Sequence, residues 1–177
     1  MVRTKRLASE GIAFSEKKDL RNLREYAAKG WIVKRYKGMG YELEEGPAED
    51  VIFSIDVNMV SEHEQDEYFE MFRAGGWEHV CSSHGTHLFK AAPGTPPIYT
   101  DKESEMGKLD RLLASVVPVS LFCFVALVIG VMGYFMSSGM LEQVFRWVFV
   151  VALVTAVPCA MMVVTLKIRK MRMRVKA

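Results

Sequence analysis

His79, Cys81, His84 and His87 are all of metal-ligand type and lie within one short stretch of the chain. On an extended strand alternate side chains share a face, so His79 and Cys81 are expected to point together. His87 would return beside them on a hairpin partner, giving a three-ligand set of His79, Cys81 and His87. The order H-x-C-x2-H-x2-H matches no standard zinc spacing, however. Ser82-Ser83-His84-Gly85 also has turn composition, so a solvated hairpin is the plainer reading. Nucleophile–base catalysis could use Cys81 with His79 or His87 as base. No third activating group and no oxyanion-type glycine motif accompanies it, and a free cysteine is most often a small buried hydrophobe. The expectation is a non-enzymatic chain without a cofactor.

Other motifs weigh in the same direction. Lys37-Gly38-Met39-Gly40 lacks the GxxxxGK[ST] pattern of a phosphate cradle and reads as a hairpin turn. Glu62, Glu64, Asp66, Glu67 and Glu70 crowd the start of a helix, where negative charge is favoured; they could also dock a basic partner. Trp31, Tyr41, Phe53 and Trp77 could line a ligand pocket between sheet and helices, although packed core is the default for aromatics.

The elements that would hold these residues follow from pattern. Leu7–Phe14 reads as a strand, and Ser15 can cap a helix over residues 16–29 that stops at Gly30. Trp31–Lys37 and Tyr41–Glu44 form a hairpin across the Gly38–Gly40 turn, and Val51–Val57 is the next strand. Ser61 and Glu64 make a capping box for a helix to Ala74, ended by Gly75-Gly76. Trp77–Ser82 and Thr86–Lys90 form a second hairpin. Residues 26–31 (YAAKGW) align with residues 72–77 (FRAGGW), which predicts two βαββ repeats. The fold class expected for residues 1–92 is therefore α+β: an antiparallel sheet with two helices on one face, related to ferredoxin-like folds. Residues 93–111 would be a Pro-rich linker and a helix capped by Thr100 and Glu103.

Charge is segregated along the 177 residues, whose formal net charge is +2. Residues 112–136 contain no charged residue, and neither do residues 147–166. A 25-residue helix would be about 37 Å long, more than the roughly 30 Å of a hydrocarbon core. Both runs are expected to span a bilayer, and neither is a signal peptide. Lys102, Lys108 and Arg111 precede the first run, and the tail at 167–177 is basic. The positive-inside bias then places both termini in the cytoplasm of a plasma-membrane protein, with residues 137–146 outside. Anionic lipid explains the tail better than nucleic acid does. Ala126 and Gly130 on one span, and Ala152, Ala156 and Ala160 on the other, would pack the hairpin or a homo-oligomer. Pro158 should kink the second span. Cys81, Cys123 and Cys159 form no CxxC, and no disulfide is expected in a reducing cytosol.

The elements AAKGW and FRAGGWEHV, the stretch YELEEGPAEDVIFSID, the segment PPIYTDKESE and the two-span hairpin resemble the bacterial family called domain of unknown function 2812. The resemblance implies a membrane-associated protein, often encoded beside PadR-like transcriptional regulators, with no established catalytic residues. Together these observations predict a membrane-anchored sensory, regulatory or protein-interaction module acting on a protein partner. An accessory or oligomeric subunit of a transport system is the alternative.

Overall fold

The computed structural model describes residues 3–9, 11–99 and 102–175. Two compact units divide the chain, residues 1–108 and 109–177. The first unit contains β1 (Thr4–Ala8), α1 (Ile12–Ala27), β2 (Trp31–Tyr36), β3 (Gly40–Glu45), β4 (Ile52–Val57), α2 (Gln65–Ala74), β5 (Glu78–Ser83) and β6 (Thr86–Ala91). Two long helices follow, α3 (Lys102–Met136) and α4 (Met140–Val175).

The α+β class and both βαββ units are present as expected. Strand order is β1-β3-β2 in one unit and β4-β6-β5 in the other, all antiparallel neighbours. In each, the helical crossover joins two strands that flank the third, which is the split βαβ arrangement of ferredoxin-like sheets. The correspondence reaches single residues. A bulge lies between Val33 and Arg35 in β2, and another lies at the matching place between His79 and Cys81 in β5.

The strands form two three-stranded sheets rather than one continuous sheet. Strands β2 and β5 lie side by side at the seam. The bulge in each disrupts the regular row of backbone donors and acceptors that a shared ladder would need. Helix α1 closes the seam by packing against β2 of its own sheet and β4 of the other, while α2 packs against β5. Leu23 and Ala27 of α1 are buried with Val33, Tyr41, Leu43, Ile55 and Leu88. A second core gathers Trp77, Phe89 and Ala91 with Tyr68, Phe69 and Phe72 of α2.

Local signals moved at three places. Gly11 takes φ +89, so the first strand stops at Ala8 and Phe14 lies on α1. Ser15 is the non-helical residue where the regular part of that helix begins. At α2, Ser61 Oγ donates to the Glu64 carboxylate at 2.7 Å instead of capping a backbone N–H. Helix α2 therefore begins after Glu64. Gly30 behaves as expected: its φ is +78, and a Cβ there would lie 2.7 Å from the Gly46 carbonyl oxygen. The capping box expected at Thr100 and Glu103 involves Thr100, which lies outside the described residues together with Asp101; Lys176 of the basic tail does too.

The Pro-rich stretch is no free linker. Trp77 Nε1 donates to the Pro96 carbonyl at 2.9 Å, and Ile98 packs on the second core. The α+β unit thus extends beyond residue 92, to Lys108.

In the second unit, α3 and α4 are long and apolar enough to cross a membrane, with mean hydropathies of 2.7 and 2.5 over their most apolar windows. On α4 the less exposed positions include Phe145, Phe149, Ala152, Ala156, Cys159, Val163 and Leu166, alternating steps of four and three. That spacing is the seam of two packed helices. Ala152 and Ala156 lie on it, as do Ala126 and Gly130 of α3, whereas Ala160 is exposed. A strict four-residue stripe drifts around a helix of 3.6 residues per turn, which carries Ala160 off the contact.

Candidate functional site

The bulge in β5 decides the fate of the His/Cys set. His79 pairs with Phe89 and Ser82 with His87, while Cys81 pairs with Leu88. Directly opposed residues share a face and successive residues alternate, so Cys81 faces away from both histidines. Among the described residues no group of three or more His, Cys, Asp or Glu is placed to hold a metal ion. Cys81 is buried with its sulfur at the Tyr36 backbone, and burial pushes its thiol up to about 11. It is held as a neutral thiol, the poorly nucleophilic form.

Ser82, which sequence reasoning passed over as a turn residue, links the two histidines. His87 Nε2 lies 3.0 Å from the Asn58 carbonyl, which can only accept, so a neutral His87 carries its proton there. Its Nδ1 then accepts from Ser82 Oγ at 2.6 Å. Having donated its proton, Ser82 accepts from His79 Nε2, also at 2.6 Å. His79 stacks on Phe69 of α2, with centroids 3.9 Å apart. Burial, with His87 nearby, holds its imidazole below the ordinary value. In the first βαββ unit the residues matching Ser82 and His87 are Tyr36 and Tyr41. Their rings lie 5.1 Å apart, and both phenols are raised by burial and stay protonated.

The four aromatics proposed as a pocket do not meet. Trp77 is in the second core and Tyr41 packs on Tyr36. Trp31 lies under the Lys5 ammonium, 5.6 Å from its ring. Phe53 alone lines a cleft of about 210 Å³ at the seam between the sheets, with Ile32, Val33, His79, Val80 and Lys90. Lys90 Nζ stands 3.1 Å from Glu49 and 3.7 Å from Glu78 at its rim.

The most buried charges lie elsewhere. Lys108, 4% exposed, pairs with Glu16 of α1 at 2.5 Å and donates to the Ile55 carbonyl of β4 at 2.6 Å. Its ammonium also lies 5.2 Å from the centre of the Tyr99 ring. The Tyr99 hydroxyl donates to Asp56, which is 3% exposed. Asp56 accepts from Tyr68 of α2 as well, and from the Val57 N–H at 2.7 Å. One polar chain therefore connects α1, β4, α2 and the start of α3 inside the α+β unit. No motif announced it, because its members are far apart in sequence. A lone Lys near the start of an apolar run reads first as a flanking charge.

The family model for Protein of unknown function (DUF2812) matches residues 15–122, more than half of the chain. The chain belongs to this family. The DUF2812 match begins at Ser15, covers both sheets from β2 onward and runs into the apolar part of α3. No curated protein and no solved structure matches the chain.

Proposed function

We propose that this DUF2812 chain is a membrane-anchored, non-enzymatic regulatory module. The α+β unit faces the cytoplasm, both termini lie inside, and α3 and α4 cross the bilayer as a hairpin. The unit binds a protein partner or a small ligand, and its state reaches the membrane through α3. A PadR-like regulator held at the membrane is the partner that the family resemblance suggests.

The observation that supports this most is Lys108. A buried lysine needs compensating partners, and this one draws them from α1 and β4. It lies on α3 four residues before the uncharged run begins. Any rearrangement of α1 against β4, such as a ligand in the seam cleft would cause, changes how that turn of α3 is held.

Hydrogen exchange of the full chain in lipid nanodiscs tests the route. Lys108→Met should raise exchange both in the α+β unit and in residues 109–116. Faster exchange confined to the α+β unit would refute transmission. In a cysteine-free chain, Ser138→Cys should react with an impermeant maleimide from outside intact cells, and Thr4→Cys only after lysis. Crosslinking in native membranes then identifies the partner; a transporter subunit instead of a regulator would favour a transport role.

A further inference from the structure

A row of side chains crosses the second sheet beside the seam. Phe53 of β4 and Glu78 of β5 both stand opposite Lys90 of β6, so the three share one face. They border the cleft of about 210 Å³, whose apolar wall is Ile32 and Val33 of β2, Phe53 itself, and Val80, the extra residue of the β5 bulge. Ala27, the last residue of α1, also lines it. Glu49 is fixed at the cleft by its own backbone, whose N–H donates to the Ala27 carbonyl at 3.0 Å.

The charges lining the cleft do not balance. Glu49 and Glu78 both face the single ammonium of Lys90, at 3.1 and 3.7 Å. Burial holds the His79 imidazole below its ordinary value, so at neutral pH it adds no positive charge. One carboxylate charge is therefore left over. Glu49 and Lys90 keep only 30% and 23% of their side chains exposed, so water and salt screen this surplus incompletely. It also lies beside the C-terminal end of α1, where the helix dipole favours a cation, and Arg24 of that last turn is already paired with Asp50. An inorganic cation would gain nothing from the apolar wall. The volume equals about seven waters at roughly 30 Å³ each; bonded atoms pack closer, so it suits about ten non-hydrogen atoms.

We propose that the seam cleft binds a small organic monocation, an amine carrying one apolar or aromatic group. The ligand ammonium lies against Glu49 and Glu78 and balances the second carboxylate, while its apolar group covers Ile32, Val33, Phe53 and Val80. A ligand carboxylate would have Lys90 alone and would face two acids. Because the wall comes from β2 of one sheet and from β4 and β5 of the other, an occupied cleft ties the two sheets together. The inference rests on the regulatory reading above and supplies the ligand class for it.

The test is methyl NMR of the full chain in phosphatidylcholine nanodiscs, titrated with three probes of one shape and different charge: 2-phenylethylamine, 2-phenylethanol and phenylacetate. The methyl signals of Ile32, Val33 and Val80 should shift saturably with the amine, at an affinity about tenfold above that for the alcohol, with phenylacetate weakest. Lys90→Gln removes the competing ammonium and should tighten amine binding. Glu49→Gln should loosen it, and Val80→Phe, which fills the cleft, should abolish the shifts. Phenylacetate binding tightest, and lost in Lys90→Gln, would overturn the amine assignment in favour of an anion. Equal affinity for all three probes would overturn any selection by charge. Unmoved methyl signals with every probe would overturn the site, and the wild-type titrations decide this whether or not a variant folds. Failure here is separable from failure of the regulatory reading. A silent cleft in a chain that still crosslinks to a regulator removes only this site, whereas a cleft that takes the amine while Lys108→Met leaves residues 109–116 unchanged removes only the transmission.

Discussion

His79 and Cys81 are two positions apart, yet one faces α2 and the other faces Tyr36. The single extra residue of the β5 bulge separates them. Ser82 gains its place by the same shift, since it now opposes His87. The depressed imidazole of His79 has a consequence for stability. Its unfolded value is about 6.5, and its folded value is lower. As pH falls below about 6.5 the unfolded chain takes up the proton first, so the stability contributed by neutral His79 is present above that pH and lost below it. The other titratable groups near it are Glu49, Glu78 and Lys90 around the cleft and His87 across the ladder. His79→Phe keeps a ring against Phe69 and removes the titration. Urea unfolding between pH 7 and pH 5 should show wild type losing more stability than the variant; equal losses would mean another group is responsible.

Among the elements, the hairpin helices illustrate how much a small residue's position matters. Gly130 and Ala160 are both small residues on uncharged helices, and only Gly130 is buried against the other helix. Gly130→Val must push Phe149 away, because its new Cβ would lie within the Phe149 backbone contact distance. Ala160→Leu adds bulk on an exposed face. In detergent, Gly130→Val should lower the thermal unfolding temperature of the hairpin by several degrees while Ala160→Leu leaves it unchanged. The reverse order would show that the seam runs along the strict four-residue stripe instead. A similar displacement occurs at α2, where the Ser61–Glu64 pair was legible but its bond was not. The two side chains bind each other, and the helix waits until Gln65.

For the molecule as a whole, the α+β unit closes at Lys108. Glu16 and Lys108 are almost fully buried as side chains, so removing one deprives the other of its opposite charge. Losses of about 3–5 kcal/mol are typical of such single removals. A chain cut after Arg111 keeps the whole network and should be soluble and folded, with a cooperative urea transition. One cut after Ala92 loses Ile98, Tyr99 and Lys108 and should unfold at much lower urea. Equal stability of the two fragments would show that the Pro-rich stretch and the start of α3 are accessories. The sequence by itself determined the two uncharged helices, the helix–glycine–tryptophan junctions and five of the six strands to within a few residues, because charge exclusion, periodicity and turn chemistry act over a few neighbouring positions. The tertiary structure alone decided the division into two sheets, the turning of Cys81 away from His79, the dispersal of Trp31, Tyr41, Phe53 and Trp77, and the burial of Lys108. Each of those depends on register between segments far apart in the chain, where one inserted residue or one close backbone approach changes which side chains can touch.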